Sequence, residues 1–257
     1  MGMYLRTGSQ VRLLFLSAFS RGLSSSLNMS EIAQKADGQK MRVLCLHGIG
    51  TNCEIFEAQT AALRYQLGHA FDFEFIGGEH PWPAARGIAE VFGRDEVCYS
   101  YFDGTPAGAL SAVEDLADYV AENGPFEAVM GFSLGATLAV TFLLNMNKLG
   151  FAESPFKFAV LICTCLPCDW DALQAGKLEF LDPTQVPAPM KIPTIHCWSP
   201  EDMEYPGESR LVVEMCDAST RVNLQHSAAH NPPTQPREVH ELAQAILDMS
   251  KITTQVQ

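Results

Sequence analysis

The stretch Phe126-Glu127-Ala128-Val129-Met130-Gly131-Phe132-Ser133-Leu134-Gly135-Ala136-Thr137-Leu138-Ala139 decides how the rest of the chain is read. An apolar run leads into Gly-x-Ser-x-Gly and then into a second apolar run. That is the order of strand, sharp turn and helix that a nucleophile elbow requires. So sharp a turn leaves no room for side chains two residues before and after the serine, and Gly131 and Gly135 stand there. The turn would raise Ser133 at the carboxyl end of a parallel strand and the amino end of a helix. Backbone N–H groups there lack helical partners and the helix dipole favours negative charge, which is what a tetrahedral oxyanion needs. The bland alternative is a glycine turn that merely packs a helix on a sheet. The strand before it and the helix after it favour the elbow.

Outward from this point the chain alternates strands and helices. Met41–Leu46, Phe158–Cys163 and Thr194–Ser199 are continuous apolar runs, as buried parallel strands are. Phe71–Ile76 alternates as a half-buried strand does, and Arg221–Gln225 reads as the last strand. Between them lie helical patterns: from a cap at Asn52 to about Gly68, from Ala107 to Asn123 before Gly124, from Gly207 to Cys216, and a terminal helix from Pro236 to Ser250. The helix after Ser133, through Leu144, is apolar nearly all round and so should be buried. The pattern predicts an α/β fold, a mostly parallel sheet of about six strands with helices on both faces and right-handed crossovers. The irregular segment from Gly77 to Phe102 reads as a substrate-facing loop, and 164–190, carrying Trp170 and Phe180, as a small lid. Trp82, Tyr101 and Phe102 are the candidate substrate contacts, part of an apolar acyl pocket.

The totals bound the rest. A chain of 257 residues suits one large domain. At that size roughly 70–75% of the unfolded surface can be buried without a metal or disulfide staple. Lys plus Arg is 17 and Asp plus Glu is 30, so the balance is 17 − 30 = −13, which argues against nucleic acid as a partner. The eight cysteines lie mostly inside apolar runs, as free thiols in a reducing compartment do. Cys163, Cys165 and Cys168 have no second cluster at metal-ligand spacing, so neither metal nor cofactor is expected. Residues 1–40 stand apart from the body at 41–257: Arg6, Arg12 and Arg21 are the only charges before Glu31, and Ser24-Ser25-Ser26 follows an apolar run too short to span a bilayer. That is the look of a mitochondrial transit peptide. A secretory signal and an unfolded extension are the alternatives, and without a targeting role the protein is expected in the cytoplasm.

A serine hydroxyl is a weak nucleophile and needs a base, which in turn needs an orienting acid. In chain order the acid should follow the serine and the histidine should come last. Asp202 falls on the loop past the strand Thr194–Ser199, with Glu201 as its rival. His230 lies on the loop past the last strand, with His226 as its rival at the strand end. His240 and His196 sit within a helix and a strand, His69 ends a helix, and His80 is on the aromatic loop. The oxyanion donors should be the N–H of Leu134, after the nucleophile, and that of Ile49 in the loop His47-Gly48-Ile49-Gly50. His47 itself is read as holding that loop.

The set Leu46-His47-Gly48-Ile49-Gly50-Thr51-Asn52, Phe56, Gln59, Tyr101-Phe102, Gly131-Phe132-Ser133-Leu134-Gly135-Ala136, Asp202 and His230-Asn231-Pro232 resembles the FSH-type serine hydrolases of the α/β-hydrolase superfamily. These occur in fungi and are related to the human ovarian-tumour-associated serine hydrolase. The likeness is greatest to fungal members encoded beside polyketide synthases, and it covers about residues 41–250. It implies Ser133, Asp202 and His230 as the triad and hydrolysis of an ester or thioester through an acyl-enzyme. A polyketide thioester, presented by a synthase carrier domain, is the substrate it suggests. Family members often have glycines before the final histidine where Ser227-Ala228-Ala229 stand here, and Gly-x-x-Asp where Ser199-Pro200-Glu201-Asp202 stands. A ligand- or carrier-binding protein without turnover, and an acyltransferase, are the competing classes.

Overall fold

The computed structural model describes residues 4–6 and 40–255. The readings made for the rest of 1–40 lie outside the described residues. Six parallel strands form the sheet: β2 (Met41–Leu46), β3 (Phe71–Gly77), β6 (Ala128–Phe132), β7 (Phe158–Ile162), β8 (Thr194–Trp198) and β9 (Arg221–Gln225), in the order β3-β2-β6-β7-β8-β9. β1 (Tyr4–Arg6), a part of the segment set apart on sequence grounds, pairs antiparallel with β3 at the edge. The expected α/β-hydrolase architecture is present.

The alternation of each strand sends its apolar side chains to two separate cores. Leu44, Leu46, Val129 and Leu161 face the helices α4 (Pro106–Asn123) and α5 (Leu134–Leu144), meeting Leu116, Val120, Val140 and Phe142. Val43, Cys45, Met130, Val160 and Ile195 face the opposite way. They meet Phe56 and Leu63 from α1 (Cys53–Gln59) and α2 (Ala61–Leu67), and Leu242 and Ile246 from the terminal helix (Pro236–Gln255). Each such side chain contributes roughly 1.5–3 kcal/mol by leaving water. Between the two cores the strands are covered on both faces, which explains their unbroken apolar runs.

Three details differ from expectation. The helix read as one piece from Asn52 to Gly68 is two, broken at Thr60, whose hydroxyl donates back to the Phe56 carbonyl at 2.7 Å. Such back-bonding bends a helix. The segment 77–102 is not irregular throughout: β4 (His80–Trp82) and β5 (Cys98–Ser100) form an antiparallel pair with α3 (Ile88–Phe92) between them. The segment 164–190 holds α6 (Trp170–Gln174), whose Trp170 and Leu173 are buried beside α4. Among the described residues no helix is long and apolar enough to cross a membrane.

The register sets up the site. Leu46 is opposite Gly131, Phe132 opposite Ile162, and Ile162 opposite Cys197. The carboxyl ends of these strands are therefore level, and the strand order reverses between β2 and β6, the position where open α/β sheets bind ligands.

Candidate active site

Ser133 joins β6 to α5 with φ 51° and ψ −119°, a conformation L-residues avoid. The surrounding backbone holds it there. Its N–H donates to the Ile162 carbonyl on β7 at 2.9 Å, and its carbonyl accepts the Thr137 N–H. A Cβ on Gly131 would come within 2.5 Å of the Ala136 backbone, and one on Gly135 would run into the Leu46 carbonyl oxygen. The two glycines let the elbow close and let α5 lie directly on β2.

His230 completes the arrangement. Its Nε2 lies 2.9 Å from Ser133 Oγ and its Nδ1 lies 2.7 Å from Asp202 Oδ2. A carboxylate can only accept, so Nδ1 carries the ring proton and Nε2 is left to accept from the serine hydroxyl. The second carboxylate oxygen, Oδ1, accepts the N–H groups of Glu204 and Tyr205 at 3.0 and 3.1 Å. The imidazole and carboxylate are 8% and 6% exposed, so water competes little for either bond. The rivals fall elsewhere. Glu201 is exposed, and His226 turns its Nε2 to Cys163 Sγ at 3.4 Å. Burial pulls the His226 pKa below its ordinary value.

The loop after β2 sits across from the serine. A Cβ on Gly48 would approach the Phe132 ring to 2.7 Å, so only glycine lets this loop rest on the elbow. His47 braces it: Nε2 accepts the Gly78 N–H at 3.0 Å, which leaves Nδ1–H to donate to the Gly48 carbonyl at 2.7 Å. Burial lowers the His47 pKa to about 4, so it is a neutral strut, as the sequence reading has it. Gly50 is clamped on both sides, donating to the Tyr99 carbonyl and accepting the Ala85 N–H. Among the described residues the N–H groups of Ile49 and Leu134 have no hydrogen-bond partner. Ile49 lines the cleft over Ser133, and Leu134 opens α5 beside it.

The cleft is lined by Ile49, Arg86, Ile88, Phe132, Tyr205 and Asn231 around Ser133 and His230, and encloses about 40 Å³. Ordinary small-molecule pockets begin near ~300 Å³. The expected aromatic and lid residues are not part of its lining. The Tyr101 hydroxyl accepts the His47 N–H at 2.6 Å and donates to the Ile76 carbonyl at 3.1 Å, so Tyr101 is a buried brace between strand ends. Phe102 packs against the buried cluster of Ala109, Cys168 and Leu173, and Trp82 lies in β4. Phe180 is exposed and Trp170 is buried in the core. Sequence reasoning missed Tyr205, whose ring lies 4.9 Å from that of His230. No motif marks it; its place three residues after Asp202 is the sole hint.

Ligand-type atoms of Cys163, Asp202 and His230 lie within 4.8 Å of one another. The carboxylate and imidazole are spent on each other, on Ser133 and on two backbone N–H groups, so a metal there would have to dismantle the relay.

A model described as serine hydrolase (FSH1) matches residues 35–242 of the chain. Esterase FPY3 of Fusarium mangiferae is 39% identical over 211 residues, covering 80% of this chain and 95% of that protein. An Aspergillus terreus thioesterase, named for dihydromonacolin L and lovastatin nonaketide synthase, is 26% identical over 227 residues, 78% of this chain and 88% of its own. Among solved structures, SOBER1 of Arabidopsis thaliana superposes with a TM-score of 0.53 at 15% identity, over 82% of this chain and 99% of its own. The Bacillus cereus carboxylesterase does so with 0.52 at 15%, over 83% and 90%. At such identities these two structures speak for the fold alone.

Proposed function

Because the chain belongs to the serine hydrolase (FSH1) family, we propose that Ser133, His230 and Asp202 hydrolyse a carboxylic ester or thioester through an acyl-enzyme. His230 Nε2 takes the Ser133 proton as Oγ attacks the carbonyl carbon, and Asp202 steadies the imidazolium. The Ile49 and Leu134 N–H groups receive the oxyanion, each worth roughly 3–4 kcal/mol in the transition state. His230 returns the proton to the leaving alcohol or thiol, then activates water to release the acid. The observation that carries this reading is the unbroken relay of 2.9 and 2.7 Å between three side chains far apart in sequence.

The finer substrate is a carrier- or pantetheine-bound polyketide thioester, a reading supported by the likeness to the Aspergillus terreus thioesterase. The eight cysteines, all free thiols, support a reducing compartment such as the cytoplasm. A fluorophosphonate probe should label wild-type protein and leave Ser133→Ala unlabelled, while hydrolysis of p-nitrophenyl butyrate falls to background in the variant. Intact protein that resists the probe, with esterase activity equal in both, overturns the assignment. Acyl-pantetheine thioesters hydrolysed no faster than the matching simple esters would remove the thioester refinement.

A further inference from the structure

The loop that carries the base is fastened to a thiol the relay does not use. Cys163 follows Ile162 at the end of β7, is 1% exposed, and takes φ 45°. Its N–H donates to the Cys197 carbonyl on β8 at 3.0 Å, while the neighbouring Ile162 carbonyl accepts the Ser133 N–H. A single peptide step thus connects the nucleophile's backbone to the strand that leads to Asp202. Cys163 Sγ then lies 3.5 Å from the Asn231 carbonyl oxygen and 3.7 Å from that of Ala229. Those are the residues on either side of His230.

The protons in this cluster can be placed. His226 Nδ1 accepts the Ala228 N–H at 3.2 Å, so its ring proton is on Nε2 and is donated to Cys163 Sγ at 3.4 Å. The S–H is left to donate to the carbonyls of Asn231 and Ala229. Burial, with the Asp202 charge nearby, keeps this thiol protonated and therefore a donor. A thiol that only fills space has no need of three polar neighbours.

We infer that Cys163 is a positioning residue: its thiol, held by His226, anchors the carbonyls flanking His230 and so fixes the imidazole between Ser133 and Asp202. The inference rests on the reaction proposed above for its kinetic consequence, but its structural consequence is independent of turnover. Loss of the anchor lets the base drift, and a misplacement near 1 Å costs roughly a hundredfold in rate.

The test compares Cys163→Ala, Cys163→Ser and, as a buried-thiol control away from the triad, Cys216→Ala. Wild type should show a downfield proton NMR resonance from His230 Nδ1–H in its bond to Asp202. Cys163→Ala should lose or broaden it and lower kcat roughly ten- to a hundredfold with KM little changed. Cys163→Ser, which keeps an O–H donor, should fall between, and Cys216→Ala should keep both resonance and kcat, with folding of each checked by thermal melting. A folded Cys163→Ala with the resonance intact and kcat within twofold of wild type overturns the inference, and the serine variant serves if alanine does not fold. If wild type neither turns over esters nor takes the probe, yet the resonance is lost only in the Cys163 variants, the positioning role stands and the proposed reaction falls.

Discussion

Replacing Asp202 by asparagine exchanges an oxygen for an NH2 group and inverts the relay. Oδ1 of Asp202 accepts the Glu204 and Tyr205 N–H groups at 3.0 and 3.1 Å. Asparagine keeps those bonds only with its carbonyl oxygen in the same place. Its NH2 group then falls where Oδ2 was, 2.7 Å from His230 Nδ1. An amide nitrogen donates and does not accept, so the ring must present a bare Nδ1 and carry its proton on Nε2, facing Ser133 Oγ. In that tautomer the imidazole cannot take the serine proton. The carboxylate charge is lost as well. Imidazolium and carboxylate centres about 4 Å apart attract by ~4 kcal/mol at an effective dielectric near 20. That is about a thousandfold in rate, and the tautomer loss adds to it. For Asp202→Asn, kcat/KM on p-nitrophenyl butyrate should fall by roughly 10³–10⁴, and probe labelling should slow in parallel. Thermal stability should change little, because shape and both backbone bonds are kept. A folded variant retaining a tenth or more of wild-type kcat/KM would refute the argued tautomer and the role given to Asp202.

Gly135→Ala puts a Cβ into the Leu46 carbonyl oxygen and 2.6 Å from that of His47, so it should destabilise the fold by at least about 3 kcal/mol, read as a lowered melting temperature. His47 and His196 are held neutral by burial, with pKa values lowered to about 4 and about 3. The unfolded chain protonates them near pH 6.5, so below that pH it binds more protons than the native state. Stability should therefore drop as pH falls from about 6.5 towards 4, by on the order of 3 kcal/mol per histidine at pH 4. Melting curves at pH 7 and pH 4 should show a smaller loss for His196→Val than for wild type. The cleft encloses about 40 Å³, so as it stands it should favour short acyl groups among simple esters, and the polyketide thioester proposed above requires it to widen. p-Nitrophenyl acetate or butyrate should exceed the palmitate in kcat/KM by roughly tenfold or more, and equal rates would show that the cleft does not set chain length.

The sheet and the triad candidates were legible because they rest on strong local constraints. Continuous apolar runs fix the strands, the glycine spacing around Ser133 fixes the elbow, and strand order fixes where an acid and a base can return. What was not legible depends on pairings across the fold. Tyr101 sits in an aromatic cluster that reads as a substrate surface, yet its hydroxyl joins the backbone of His47 to that of Ile76. Residues 164–190 carry Trp170 in a Pro-spaced stretch that reads as a lid, yet its ring is buried in the core against which α4 and α5 pack. An aromatic in a loop-like stretch has the same local signature whether it faces ligand or protein. The break at Thr60 escaped for a related reason: a threonine within an apolar period leaves the helical pattern intact while its hydroxyl competes for the helix's own carbonyl.

Strain shows which parts of the structure the site depends on. Among the described residues, the non-glycine positions with positive φ are Ser133, Cys163 and Ala229. One is the nucleophile, one is the residue after β7 whose thiol touches the base loop, and one precedes the base. Each costs roughly 1–3 kcal/mol. Ala229 is the most telling, since the resemblance leads one to expect glycine just before the final histidine, and glycine takes φ near 50° without strain. The alanine is held there by contacts on both sides: Cys163 Sγ lies against its carbonyl, and the His230 ring after it is fixed by Asp202 and Ser133. A loop kept in a costly conformation by the partners of the residue it presents is pre-organised before substrate arrives. The binding energy of the substrate can then go to the transition state rather than to ordering the base.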